Sequence, residues 1–147
     1  MVRSLTIRTP GPGLHEITAE IAAAIDGMIA GPSAEGDAAA GISSGLCTIF
    51  IRHTSASLTI QENADPSARR DLEAWLNRLV PPHDDLYTHT AEGPDDMPSH
   101  IKAALTNTSL GIPIMDGKLA LGTWQGIYLW EHRSSPHRRS VIIHIGE

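Results

Sequence analysis

The spacing of apolar positions changes several times along the chain, and each change predicts an element. Residues 2–8 (VRSLTIR) read as a first strand, followed by a turn at 10–13. From Thr18 the spacing becomes helical. Ile17, Ile21, Ala24, Ile25 and Met28 share a face, and Glu20 stands in the first turn, where the helix dipole favours a carboxylate. This helix should stop near Gly31 and Pro32, and the Gly/Ala/Ser-rich segment 31–45 reads as a mobile surface loop. Two β-rich runs follow, 46–54 and 56–62, close enough in sequence to be neighbouring strands. Asp65 and Pro66 announce a second helix, with aspartate as the cap and proline at the first helical position. Its apolar stripe is Leu72, Trp75, Leu76 and Leu79, with Trp75 expected in the core.

Residues 81–98 have no periodicity and hold two histidines and five acidic residues. A long irregular segment in a compact domain is usually a functional loop or disorder. A third helix is expected from Pro98, with Ile101, Ala104 and Leu105 on one face. Asp116-Gly117 between two apolar runs predicts a hairpin pairing 110–115 with 118–123, because both turn residues tolerate positive φ. Residues 124–132 alternate, Ile127, Leu129 and Glu131 against Tyr128, Trp130 and His132, and a polar turn leads into a last strand that should be hairpin-linked to them. The sum is an α+β fold with mainly antiparallel sheet and about three helices.

Composition narrows the possible functions. A chain of 147 residues is read as one domain, 1–147, and 41% hydrophobic with 19% charged residues is ordinary for a globular protein. The net charge of −6 argues against a general nucleic-acid binder while leaving room for a local basic pocket that takes a small anion. No apolar run approaches the roughly 18 residues of a membrane span, and residues 1–10 hold no apolar signal region, so no membrane partner and a cytoplasmic location are expected. The single cysteine, Cys47, excludes an intrachain disulfide and thiolate-rich metal sites, and its neighbours mark it as a buried strand thiol.

The common nucleotide, α/β-hydrolase, zincin and calcium motifs are absent. Two segments concentrate chemistry instead. RHTSASLTIQENADPS gathers an arginine, a histidine, hydroxyls, a carboxylate and an amide where one strand hands over to another, although turn and cap chemistry accounts for part of it. In 87–100 (YTHTAEGPDDMPSH), imidazoles and carboxylates on a loop and an adjoining helix start can converge on one divalent ion. A solvated acidic loop is the competing reading.

Read together, HTSASLTIQENADPSARRDLE, YTHTAEGPDDMPSHIKAAL, GIPIMDGKLALGTWQGIYLWEHR and PHRRSVIIHIGE resemble the YjbQ-like family of secondary thiamine-phosphate synthases, in the family's order and over nearly the whole chain. The resemblance implies a β-sandwich core, a homotrimer and a weak thiamine-phosphate synthase activity, which joins a pyrimidine-methyl diphosphate to a thiazole phosphate and releases diphosphate. Where the family usually reads Asn-Glu-Asn this chain has Gln61-Glu62-Asn63. Where it usually reads Asp-Asn-Met-Pro the chain has Asp95-Asp96-Met97-Pro98, so Asp96→Asn, which restores the usual residue, is expected to be mild.

Carried over position by position, the resemblance makes His53, Glu92, His100 and Glu131 candidates for catalysis. Thr54, Ser55, Glu62, Asn63, Asp65, Trp124, Gln125, Arg138 and Arg139 become candidates for substrate binding. His89, His100, Asp95 and Asp96 are the candidate ligands of a divalent metal: Glu92, Asp95 and Asp96 would hold magnesium, whereas the pair His89 and His100 would favour zinc or another transition metal. Arg133, Arg138 and Arg139 are candidate contacts for a small phosphorylated partner. Two other functions stay open: a metal-dependent hydrolase or lyase on such a metabolite, with Glu92 or His53 as base, and a non-enzymatic small-anion binder.

Overall fold

The computed structural model describes residues 1–29 and 42–146. Alternating burial in the chain builds two antiparallel sheets facing one core. In the larger sheet, β1 (Val2–Thr9), β8 (His137–Gly146), β3 (Ser44–Ile51), β5 (Ser109–Met115) and β6 (Lys118–Leu119) lie side by side in that order. In the smaller one, β7 (Gln125–Glu131) is flanked by β2 (Gly13–Glu16) and β4 (Ala56–Glu62). Three helices, α1 (Thr18–Ile29), α2 (Pro66–Leu79) and α3 (Asp96–Leu105), complete the described residues.

Inward-facing Ile7, Cys47, Ile49, Ile51, Ile112, Ile114, Val141, Ile143 and Ile145 of the large sheet meet Ala56, Leu58, Ile127 and Leu129 of the small one. α1 closes this core with the predicted face, Ile21, Ala24, Ile25 and Met28, beside Ile17. Cys47 is fully buried there, and burial pushes its thiol up to about 11. A second cluster lies on the other face of the small sheet, where Tyr128, Trp130 and Leu14 pack under Leu76 and Val80 at α2.

Several expectations are corrected. β3 and β4 are consecutive but belong to opposite sheets, and so do β7 and β8, which are not a hairpin. Each pair contributes its inward face to the same core, a result periodicity cannot distinguish from direct pairing. β2 is a strand that residues 10–13, expected as a turn, run into. Ser44 and Gly45, expected as loop, begin β3, while 31–41 lie outside the described residues. At α2 the inward row is half-buried Leu72, buried Leu76 and Val80 just past the helix end, an i, i+4 series, so Trp75 and Leu79 fall beside it and stay 52% and 53% exposed. α3 starts two residues earlier than expected, and Ala104 and Leu105 are exposed, because its first turn docks through polar bonds instead.

Candidate functional site

The two chain crossings between sheets lie side by side. β3 leaves the large sheet at Ile51 and β4 enters the small one at Ala56; β7 leaves at Glu131, paired with Ala56, and β8 returns to pair Val141 with Ile51. The links 52–55 and 132–136 therefore form one corner of the sandwich, and the first turn of α3 docks onto it. Ser99 Oγ donates to the His132 carbonyl at 2.8 Å, and His100 Nδ1 donates to the Thr54 carbonyl at 2.9 Å.

Two imidazoles converge on one carboxylate at this corner. His89 Nε2 lies 2.7 Å and His100 Nε2 3.1 Å from the same oxygen, Asp96 Oδ2. The second oxygen of Asp96 accepts from Arg133 Nη1. Arg133 is itself fixed: its Nε donates to Asp95 Oδ2 at 3.0 Å, its Nη2 to the Glu92 carbonyl at 3.0 Å, and its backbone N–H to Glu131 Oε1 at 3.0 Å. Asp96 is buried, while the His89 side chain is 47% exposed, so the cluster has a closed floor and an open mouth. Burial works to raise the Asp96 carboxyl, but the hydrogen bond from His89 and the charges of His100 and Arg133 outweigh it and hold it below its ordinary value.

The donor set fits a divalent transition metal. One ligating atom from each of His89, Asp96 and His100 lies within 4.8 Å of the others, and two of the separations are close to the ~3.3 Å edge set by bonds of ~2.0–2.1 Å around a tetrahedral ion. A carbonyl only accepts, so the bond to Thr54 fixes the His100 proton on Nδ1 and turns Nε2 toward the cluster, the arrangement metal-binding histidines use. Arg133 orients Asp96 in the same supporting way.

The structure divides the remaining candidates. Asp95 is no part of the cluster. Its carboxylate takes Arg133 and the Ser134 N–H and hydroxyl, and although burial works against them these bonds hold it at about 2. Glu92 contributes only its backbone carbonyl to Arg133, so a magnesium set of Glu92, Asp95 and Asp96 does not form. Glu131 and Arg139, expected as a catalytic group and an anion contact, are a buried ion pair whose carboxylate also accepts from Thr9 Oγ1 at 2.7 Å. Both are closed to a ligand, and the pair pins β7 to β8 across the corner. His53 accepts the Ser140 N–H on Nε2 at 2.8 Å, which removes the lone pair a base needs and leaves Nδ1–H as a donor. Burial, then the charge of Arg139, lower its pKa and keep the ring neutral. His53 and Thr54 do border His100, in a cleft of about 350 Å³ shared with Ala103, Ala104 and Thr108, and Ser55 lines the adjoining one.

Glu62, Asn63, Asp65, Trp124 and Gln125 lie elsewhere. Glu62 pairs with Gln125 at the far end of the β4–β7 ladder, about 20 Å along the strands from Ala56 and Glu131. There Asn63 donates to Glu16 at 3.0 Å, Gln125 accepts from Gly122, and Asp65 caps α2 through Ser67 N–H at 2.8 Å. Trp124 is exposed. Arg138 is exposed on the outer face of the large sheet.

Sequence reasoning missed the clamp role of Arg133 and the buried Ser57–His132 bond of 2.9 Å. Arg133 is 37 residues from Asp96, and nothing local in the sequence joins them.

Comparison with known proteins gives one answer. A family model described as UPF0047 protein YjbQ-like matches residues 3–147. A UPF0047 protein of Synechocystis sp. is 50% identical over 141 residues, covering 96% of this chain and 88% of that protein. YjbQ of Salmonella typhimurium is 42% identical over 140 residues, covering 95% and 93%. Among solved structures, a YjbQ/UPF0047 family protein of Clostridium acetobutylicum superposes with a TM-score of 0.78 at 36% identity, over 99% of both chains. With a family model over residues 3–147, relatives 42–50% identical over 95–96% of the chain and a superposition over 99% of it agreeing, the chain belongs to the YjbQ-like UPF0047 family.

Proposed function

We propose that this chain is a metal-dependent enzyme, holding zinc or a similar divalent transition metal on His89, Asp96 and His100 and acting on a small phosphorylated metabolite. The observation that carries the reading is the convergence of two imidazole Nε2 atoms on one buried carboxylate oxygen, with the second oxygen held by Arg133. Such an ion supplies Lewis acidity toward a phosphoryl oxygen or a water molecule. The chain's own groups orient and bind. Thr54 and Arg133 fix the ligands, and His53 offers Nδ1–H to an anionic oxygen in the adjoining cleft. Ala103 and Ala104 limit water there.

Hydrolysis or elimination at a phosphate ester is the reaction class this arrangement serves best. Thiamine-phosphate synthesis is the second reading, favoured by the meeting of an apolar wall with hydrogen-bond donors in that cleft, which suits a ring-bearing phosphate. The same ion would oppose the charge of the leaving diphosphate.

Turnover of phosphate monoesters and of the two thiamine precursors, assayed in parallel after chelation and readdition of metal, tests both. The proposal expects activity restored by zinc and not by magnesium, and absent in His89→Ala. Activity that survives chelation overturns it, as does phosphate binding without turnover of either substrate set. A trimer is proposed alongside, from the resemblance and from the open apolar positions of the large sheet.

A further inference from the structure

Arginines outside the metal cluster form a pattern of their own. β1 and β8 pair so that Arg8 stands directly opposite Arg138. Their neighbours Ile7, Thr9 and Arg139 are buried, so both arginines fall on the outer face of the large sheet, and both are exposed. β3 pairs Ile51 with Val141, and the Arg52 N–H continues the ladder to the Ser140 carbonyl at 3.1 Å. Arg52 thus lies across from Ser140 and diagonal to Arg138 on that face. Directly opposed side chains stand about 4.5–5.5 Å apart at Cβ and diagonal ones about 7–8 Å, within reach of three guanidinium groups for one ligand.

None of the three enters an ion pair among the described residues. Like charges directly opposite each other destabilise a ladder, and here they occur in a chain with a net charge of −6. A cleft of about 490 Å³ opens beside Arg8 and Arg138, lined also by Thr9, Pro10, Pro136 and His137, while Arg52 borders a second cleft with His53 and Thr54. The His137 Nδ1–H donates to the Ser135 carbonyl at 2.7 Å, which orients the ring. No carboxylate lines this cleft, and the guanidinium fork matches phosphate oxygens two at a time.

We propose that Arg8, Arg138 and Arg52 form a binding site for the phosphate or diphosphate group of a small metabolite, distinct from the metal cluster and independent of the function proposed for it. Three cations match the two or three negative charges of such a group. The site is local in an otherwise acidic chain, so it selects a compact anion over a long polyanion.

Titration calorimetry of inorganic diphosphate into the full chain tests this, with Arg8→Thr, Arg138→Thr and Asp96→Asn as variants. Binding should weaken at least tenfold in each arginine variant, fall with added salt, and persist in Asp96→Asn. Without diphosphate, the arginine variants should melt at or above the parent's temperature, because the cross-strand repulsion is relieved and threonine suits a strand. Unchanged affinity in the arginine variants overturns the proposal, and so does its loss in Asp96→Asn alone. Arginine variants that melt lower and scatter light as a smaller assembly would also overturn it, since the arginines would then hold another copy of the chain.

Discussion

Between Asp95 and Asp96 a single peptide bond separates two carboxylates with different partners. Asp96 faces two imidazoles, and Asp95 faces Arg133 and Ser134. The position of Asp96 reverses the expectation that Asp96→Asn is mild: an amide there removes the anionic ligand between the two imidazoles and strands Arg133, so metal retention should be lost. Asp95→Asn should instead keep the metal and lose stability. Its carboxyl sits at about 2 against an ordinary 3.8, a difference of about 2 kcal/mol. Because the folded value is the lower one, this contribution is present above the unfolded value and is lost as pH falls from about 4 toward 2. Urea unfolding of the variant at pH 7 and at pH 3 measures it, and the deficit should shrink at pH 3.

His132 shapes the acid limb earlier. Burial first, then the charge of Lys102, lower its imidazole to about 3, and it remains neutral against Ser57. The unfolded chain takes up a proton there near pH 6.5 and the folded one does not. Stability on the order of a few kcal/mol is therefore present above 6.5 and lost as pH falls toward 3. His132→Gln should flatten the dependence between pH 6.5 and 4, read as the slope of melting temperature against pH. An unchanged slope would remove His132 as the cause.

Elements with strong local signals were legible in advance. α1 carries its predicted face, α2 its Asp65 cap and Pro66, and the Asp116-Gly117 turn adopts φ of 50° and 72° between β5 and β6. Gly117→Ala should cost about 1 kcal/mol, since an L side chain is strained at that φ, with the loss visible in denaturant midpoint. Beyond that hairpin, which pairs Ile114 with Leu119 and Met115 with Lys118, strand pairing was not legible, because a burial pattern of period two says which face is inward and not which neighbour supplies the hydrogen bonds. β7 shows the same limit. Its alternation gives two apolar faces, one in the main core and the other, with Tyr128 and Trp130, covered within the chain by Leu14, Leu76 and Val80. Of the candidate site, the run 87–100 holds the His89–Asp96–His100 cluster, whose members are close in sequence. Glu131 and Arg139, expected at a pocket, form a buried ion pair, and polarity in the sequence does not distinguish the two.

Across the whole molecule, the outer face of the large sheet divides along its strands. Val2, Leu46 and Met115 lie exposed toward one end, and Arg8, Arg52 and Arg138 toward the other. The apolar end is the surface a second copy would cover, and a trimer predicts a light-scattering mass three times the 15.8 kDa of the chain, reduced by Leu46→Glu. A mass equal to that of one chain contradicts it. At the opposite corner, the crossings between sheets, the first turn of α3 and the Arg133 clamp hold His89, Asp96 and His100 together, one imidazole or carboxylate atom of each within 4.8 Å of the others.

That corner is tested most directly by the zinc content of untagged protein, determined by mass spectrometry of the metal beside its chelated form and Asp96→Asn, with circular dichroism to verify the fold. The account predicts close to one zinc per parent chain, removal by chelator, and loss in Asp96→Asn with an unchanged spectrum. A parent that retains no metal even when zinc is supplied, or an Asp96→Asn variant that retains as much as the parent, would contradict it.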